Sequence, residues 1–176
     1  MLKIIKKIDK TLKWPLMAIP PLQKWLTPSG KMIVIGDAAH AMLPYMSQGS
    51  SRLSSPYPAY LTVFPEPGAA IAVEDAAALA EAFRHAHDAE DIPRVLSVFQ
   101  RVRSKRASQM VQASFINGKL WHFADGAEQR ARDAAMRPEV LGEKFAESPN
   151  QWSDPVTQRW AYGYDAVEAI ARELLS

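Results

Sequence analysis

One stretch, from Lys31 to Gly49, constrains the fold of this chain more than any other. It begins with a short apolar run rich in β-branched residues, Met32 to Ile35, which is typical of a strand covered on both faces. Gly36 allows the backbone to turn sharply or to approach a bound group closely. Asp37 places a carboxylate at the carboxyl end of the predicted strand, where open α/β sheets bind ligands. The stretch therefore predicts a buried strand that ends at a ligand site.

A loop and a long helix are predicted after the Gly-Asp pair. Pro44 and Gly49 bracket the loop, which should be stiff at one end and permissive at the other. The segment from Ala69 to His87 is dense in alanine and has larger apolar residues at helical spacing. Its small first residues would let a ligand approach the helix N-terminus, where free N–H groups and the helix dipole favour negative charge. We expect Glu74 and Asp75 to stabilise that dipole rather than to catalyse a reaction.

This combination of residues resembles the second flavin-binding motif of the FAD-dependent aromatic-ring monooxygenases, the family of the salicylate and para-hydroxybenzoate hydroxylases. The matching residues are Gly36, Asp37, Ala38, Ala39, His40, Pro44, Gln48, Gly49 and the run from Ala69 to Ala78. In that family the Asp binds the ribityl hydroxyls of FAD, the loop follows the isoalloxazine ring, and the helix N-terminus points at the flavin pyrimidine. The resemblance therefore implies an FAD site at Gly36, Asp37, Pro44, Gly49, Ala69 and Ala70. The alternative is a buried strand and an Asp-capped helix without a ligand.

Composition and charge argue against several other classes of protein. The 176 residues suffice for one domain, and the formal net charge of +2 is too small to indicate nucleic-acid binding. Without cysteine there is no disulfide framework and no thiolate metal site, which fits a reducing compartment such as the cytoplasm. No apolar run approaches the roughly 20 residues of a membrane span. Asp37 and His40 lack an evident third ligand, so we predict no metal site.

The first thirty residues are predicted to be a linker. Met1 to Lys13 has apolar residues on one helical face and lysines on the other, a pattern shared by transit peptides, membrane-surface helices and ordinary surface helices. Two segments, Thr11–Leu16 and Pro21–Trp25, resemble the connection that precedes the Gly-Asp strand in the salicylate hydroxylases. The resemblance therefore favours a linker from a substrate-binding part of the enzyme over residues 1–30.

An atypical insertion separates the loop from the helix. Residues 50–67 are rich in Ser and Pro and show no helical or clean strand periodicity. Roughly 19 residues lie between Gly49 and Ala69, more than the ~12–15 usual for an unstructured loop, whereas the family passes almost directly from one to the other. One hypothesis is a short retained intron that is translated in frame. The rival hypothesis is a genuine lid loop, and sequencing of the mature transcript decides between them.

Further helices are predicted over the rest of the chain. Pro93 should open a helix, and a basic cluster on it (Arg94, Arg101, Arg103, Lys105 and Arg106) is interpreted as a solvated face. A run of Val-Gln-x-x-Ser-x-x-Asn, also seen in the salicylate hydroxylase-like proteins, predicts helix packing and helix termination near Gly118. The segment 124–137 is helix-prone, and Asp165 can cap a final amphipathic helix that ends at Leu175.

Two parts of the family pattern are absent from the sequence. It contains neither the Gly-x-Gly-x-x-Gly loop that holds the FAD pyrophosphate nor the middle Asp-Gly motif in its expected place. The resemblance thus covers most of this chain but only the C-terminal part of a full enzyme. We expect an α/β fragment that is mostly helical, with one or two strands of a Rossmann-like FAD-binding domain followed by long helices. The predicted division is a linker (1–30), part of the FAD-binding domain (31–123) and a helical tail packed on it (124–176).

The parent enzyme implied by the resemblance hydroxylates a small phenolic or similar aromatic substrate with NAD(P)H and oxygen. We expect this chain alone to bind FAD weakly or not at all and to be inactive, and we assign no catalytic residue. The alternative is a cofactor-free helical interaction module that uses the basic face from Arg101 to Arg106 or the N-terminal helix. The sequence leaves open the substrate, the choice between NADH and NADPH, and the oligomeric state.

Overall fold

The computed structural model describes residues 10, 12, 15, 17–46, 67–145 and 147–176. These residues form six helices, α1 (Asp37–His40), α2 (Pro67–Arg84), α3 (Ile92–Trp121), α4 (Ala127–Val140), α5 (Pro155–Tyr162) and α6 (Ala166–Leu175). The predictions of helices at 69–87, 124–137 and 165–175 are confirmed to within a few residues. Most of the amphipathic segment 1–13 and the insertion up to residue 66 lie outside the described residues, so the interpretations given for each remain hypotheses.

The predicted buried strand is reduced to one bridge. In the described part of the chain, β structure consists of a single antiparallel bridge between Leu26 and Ile33. Met32 is 64% exposed and Val34 is 37% exposed, so a strand covered on both faces is not shown in this structure. The reason is the alternation of side chains along an extended segment. Ile33 and Ile35 pack against the core, whereas Met32 and Val34 face outward.

A single acceptor on α3 holds the segment that leads into this bridge. The N–H groups of Trp25 and Leu26 both donate to Oε1 of Gln100, each over 2.7 Å. The indole of Trp25 is buried and packs against Phe99 of the same helix, with ring centroids 6.3 Å apart. One carbonyl oxygen can accept from both N–H groups only if the helix and the segment keep the same relative position. Helix α3 therefore fixes the position of this segment.

The core lies between α2, α3 and α6. Its fully buried members include three small or branched residues of α2, three larger residues of α3 and one residue of α6, namely Ile71, Ala78, Ala82, Val95, Phe99, Met110 and Ile170. Alanine lets the axes of α2 and its neighbours approach closely, while each buried Val, Ile, Phe or Met contributes roughly 1.5–3 kcal/mol. Helix α6 packs on both α2 and α3. Within the described residues, none of the helices is both long and apolar enough to cross a membrane.

Helix termini follow simple capping rules. Pro93 lies in the first turn of α3, where a missing N–H costs no hydrogen bond. Asp154 accepts a hydrogen bond from the N–H of Thr157 and caps α5. Asp165 accepts from the N–H groups of Val167 and Glu168, each over 2.9 Å, which confirms its predicted role at the start of α6.

Helix α3 ends at Trp121, three residues after Gly118, which confirms the predicted termination near Gly118, although the glycine itself lies within the helix. Helix α3 comprises 30 residues in all, from Ile92 to Trp121, and Gly118 is buried within it. A Cβ atom at position 118 would lie 2.7 Å from Cδ2 and 2.9 Å from Cε2 of the Tyr45 ring. The glycine therefore serves the close approach of Tyr45 to α3, a contact between residues far apart in the sequence.

We expect Gly118→Ala to lower the free energy of unfolding by about 1–3 kcal/mol, because the added methyl group overlaps the Tyr45 ring. In a Tyr45→Ala background the same substitution should instead raise it by about 0.5–1 kcal/mol, since alanine is the better helix former. Urea denaturation of the four proteins measures both effects. Destabilisation of equal size in both backgrounds would contradict the proposed contact.

Candidate functional site

The Gly-Asp pair lies where α1 meets α2. Gly36 has φ 60° and ψ −145°, a conformation that other residues adopt only with strain, so the predicted sharp turn is confirmed. A Cβ atom on Gly36 would lie 3.5 Å from Cβ of Ala72, in the N-terminal half of α2. Asp37 follows as the first residue of α1, and its side chain is exposed. The turn thus directs a carboxylate to the surface next to the alanine-rich helix.

A buried carboxylate fastens this turn to two helices. Asp75 of α2 is fully buried and accepts a hydrogen bond from the N–H of Gly36 over 3.0 Å. It also accepts from Nε2 of His40 over 2.7 Å and from Nε of Arg103 over 2.9 Å. Because a carboxylate only accepts, Nε2 is the protonated ring nitrogen of His40. One side chain therefore joins the Gly-Asp turn, α1, α2 and α3.

The partners of Asp75 keep its carboxyl group ionised. Burial raises its pKa, but the hydrogen bonds from His40, the Gly36 N–H and Arg103 outweigh burial and hold the pKa below the ordinary aspartate value. The pKa of Arg103 is raised, because Glu74 and Asp75 stabilise its charge more than burial disfavours it. The site thus contains an ion pair, Asp75 and Arg103, in which both side chains are shielded from solvent.

The charged network extends from the turn to the C-terminal tail. Glu74 accepts from Nη2 of Arg103 over 2.8 Å and from Nη2 of Arg106 over 3.2 Å. Arg106 also donates to the carbonyl of Ala161 over 2.8 Å, and its guanidinium lies 4.5 Å from the centroid of the Tyr164 ring. Hydrogen bonds and cation–π contacts therefore link α2 through α3 to α5 and to Tyr164, which lies between α5 and α6.

Two interpretations of these charges were wrong. Glu74 and Asp75 form ion pairs with α3 rather than only stabilising the dipole of α2. Arg103 and Arg106 are 0% and 4% exposed and do not belong to a solvated basic face. A sequence signal was available, because both arginines fall on the same helical face as Phe99 and Met110. A cation on an apolar face of a helix indicates a buried acidic partner.

The loop of the motif is anchored on α3. Pro44 is exposed, but the backbone carbonyls on either side of it are both engaged. The hydroxyl of Ser114 donates to the carbonyl of Leu43, and the side-chain amide of Asn117 donates to the carbonyl of Tyr45. Ser114 and Asn117 are fully buried and belong to the run that predicted helix packing. The sequence did not reveal that the partner of this run is the loop.

The remaining predicted site residues lie at the start of α2 or outside the described residues. Ala69 is exposed and Ala70 is half-buried. Ala70 borders a cavity of about 430 Å³ that is also lined by Tyr162 and Tyr164. Gly49 is not among the described residues. The structure therefore brings Gly36 and Asp37 next to α2 and places Pro44 on an anchored loop, while their role as cofactor ligands stays a prediction. In the described ranges, no group of three or more acidic or histidine side chains is arranged to hold a metal ion.

Known proteins resemble this chain along nearly its whole length, although no protein-family model matches it. The FAD-dependent monooxygenase OpS4 of Beauveria bassiana (strain ARSEF 2860) is 33% identical over 165 residues, 94% of this chain. Notoamide E oxidase notB of Aspergillus sp. (strain MF297-2) is 31% identical over 159 residues, 90% of this chain. The 3-amino-4-hydroxybenzoate 2-monooxygenase PtnB3 of Streptomyces platensis is 28% identical over 170 residues, 97% of this chain.

The shared region is a minor part of each relative. The chain spans 34% of OpS4, 27% of notB and 34% of PtnB3. The similarity therefore covers nearly all of this chain, and the larger part of each relative has no counterpart in it.

We expect Asp75→Asn to lower the free energy of unfolding at neutral pH by about 3–5 kcal/mol, because it leaves Arg103 with one buried anion fewer. Since the pKa of Asp75 is depressed in the folded state, its contribution is complete above the unfolded-state pKa of about 3.9 and is lost as pH falls below that value. The difference between wild type and variant should therefore shrink below about pH 4.

Denaturant titrations between pH 3 and pH 7 measure this difference. Glu168→Gln is the matched control, because its ion pair with Arg172 is exposed and should contribute less than about 0.5 kcal/mol. A wild-type advantage over Asp75→Asn that stays constant down to pH 3 would contradict the role of the ionised carboxylate.

Proposed function

Because the chain belongs to the FAD-dependent monooxygenase family, as its motif predicted, we propose that its Gly-Asp turn and the start of α2 form part of an FAD site. The observation that carries this proposal is the position of Asp37. Its carboxylate is exposed on a left-handed turn at Gly36, and the backbone of that turn is bonded to buried Asp75 of α2. A rigid, solvent-facing acceptor next to a helix start suits a ligand that carries hydroxyl groups.

The residues present fit one end of the cofactor. Asp37 supplies an acceptor for the ribityl hydroxyls, and Gly36 has no side chain to obstruct them. Ala69 and Ala70 are small, so a ligand could approach the N–H groups of the first turn of α2. These N–H groups and the helix dipole favour negative charge, which a reduced flavin carries on its pyrimidine side. Pro44 would contribute a stiff, apolar edge to the isoalloxazine ring.

The bound FAD would supply the redox chemistry with NAD(P)H and oxygen, and the protein would orient the cofactor and exclude water. We propose that the complete protein hydroxylates a small phenolic or similar aromatic substrate. This is supported by the name of one relative, which acts on 3-amino-4-hydroxybenzoate, and by the match of the motif residues. No residue of this chain is assigned to proton transfer.

We propose that the extended segment ending at Ile35 is a strand of a Rossmann-like sheet in the complete protein. Met32 and Val34 are consistent with this, because a neighbouring strand or layer would cover their exposed side chains, and both residue types are often buried. The proposed division into a linker (1–30), part of the FAD-binding domain (31–123) and a helical tail (124–176) follows from it. Gly49 and the insertion belong to the same domain.

We further propose that this chain alone binds FAD weakly and does not turn over substrate. Its sequence has no glycine-rich loop for the pyrophosphate, and it spans about a third or less of the length of its relatives. The alternative of a cofactor-free interaction module has lost support for the basic face, because Arg103 and Arg106 are buried in ion pairs. Its other form, which uses the N-terminal helix, lies mostly outside the described residues.

We expect Asp37→Ala to weaken the binding of FAD by about tenfold or more, since a hydrogen bond to a charged group contributes about 1.5–3 kcal/mol. Titration with FAD, followed by the backbone amide NMR signals of residues 36–39 and 69–72, detects even millimolar affinity. Asp125→Ala is the matched control, because Asp125 is likewise an exposed aspartate beside a glycine, Gly126.

Two results would contradict these proposals separately. Equal affinities of wild type, Asp37→Ala and Asp125→Ala, or the absence of shifts in the wild type, would rule out the site. A stoichiometric yellow complex of the purified wild-type chain would instead retain the site and rule out weak binding by the chain alone.

A further inference from the structure

We propose that Ser114, Asn117 and Trp152 are positioning residues that hold the loop around Pro44 in the shape in which it meets the flavin. This inference rests on the proposed FAD site and assigns the support of its loop to α3 and to the C-terminal tail. The side chains involved do not touch the cofactor. They act on it through the two backbone carbonyls that flank Pro44.

Helix α3 supplies two donors for the backbone of the loop. Ser114 and Asn117 are three residues apart, so their side chains lie on the same face of the helix, about 5–6 Å from each other. The N–H group of Tyr45 donates to the carbonyl of Leu43 over 2.9 Å, so residues 43–45 form a tight turn with Pro44 at its centre. Ser114 donates to the carbonyl of Leu43 and Asn117 to that of Tyr45, so one residue of α3 holds each end of this turn.

The C-terminal tail supplies the third donor. Nε1 of Trp152, between α4 and α5, donates to the carbonyl of Tyr45 over 3.2 Å. This carbonyl thus uses both of its lone pairs, one for Asn117 and one for Trp152. The ring of Trp152 also packs against Trp121, with centroids 5.5 Å apart, and Trp121 donates over 3.1 Å to Oδ1 of Asn117. The donors therefore orient one another.

The burial of these polar side chains indicates that they serve the loop. Ser114 and Asn117 are fully buried on α3, where an apolar residue would pack without any need for a partner. Their donors go to the loop and not to the helix itself. Pro44 stays exposed between the two anchored carbonyls, and its ring fixes φ and offers no N–H group. The result is a rigid apolar edge that faces outward, which suits contact with a flat ring.

Two substitutions test the proposal without removing the packing. Trp152→Phe keeps an aromatic ring against Trp121 and removes the indole N–H. Asn117→Asp keeps the acceptor for Trp121 and replaces the amide donor by an oxygen that repels the carbonyl of Tyr45. Trp160→Phe is the matched control, because Trp160 packs on Arg106, away from the loop.

The measurement is the titration of each protein with FAD, followed by amide NMR at both ends of the site. We expect Trp152→Phe to weaken FAD binding about threefold to tenfold, and Asn117→Asp to weaken it at least as much. The FAD-induced shift of the Tyr45 amide should decrease strongly in both variants, whereas the shift of the Asp37 amide at saturation should persist. A loss of structure alone would reduce both shifts together.

The outcomes separate this inference from the proposed function. The inference is overturned if Trp152→Phe and Asn117→Asp bind FAD like wild type and like Trp160→Phe, with an unchanged shift at Tyr45. Absence of any FAD-induced shift at Asp37 in the wild type overturns the site and the inference with it. If Asn117→Asp does not fold, Ser114→Ala takes its place, since it removes one hydroxyl and adds no charge.

Discussion

The buried carboxylate of Asp75 is the interaction on which the rest of the structure depends. An isolated charge cannot be buried without a penalty of several kcal/mol, so this carboxylate persists only because a guanidinium and two further donors surround it. Those donors come from the turn at Gly36, from α1 and from α3. Any relative movement of these elements would expose an unpaired charge, and this fixes the orientation in which Asp37 leaves the turn.

The same principle connects the turn to distant parts of the chain. Glu74 shares its carboxylate between Arg103 and Arg106, and Arg106 donates to a backbone carbonyl of α5. Alanine-rich helices bury little apolar surface per residue, so directional polar contacts have a larger part in defining how they pack. The ion pairs between α2 and α3, together with the hydrogen bonds from α3 to the loop, give the proposed flavin site a rigid support that no single helix could provide.

Local signals in the sequence were sufficient for some features and could not reveal others. The turn at Gly36, the alanine-rich helix and the cap at Asp165 each depend on neighbouring residues, and all were predicted. The burial of Arg103 and the approach of Tyr45 to Gly118 depend on residues that are distant in the sequence, and they were missed. The strand before Gly36 needs partner strands on both sides, and in the described residues it has one bridge.

Helix α3 carries contacts to three separate segments along its length, at Gln100, Arg103 and the pair Ser114 and Asn117. A single residue inserted between Arg103 and Ser114 would rotate everything after it by about 100° and advance it by about 1.5 Å. The donors for the loop would then face away, while the partners of Asp75 stayed in place. The length of this interval is therefore constrained as well as its buried side chains, and related proteins should share its residue count.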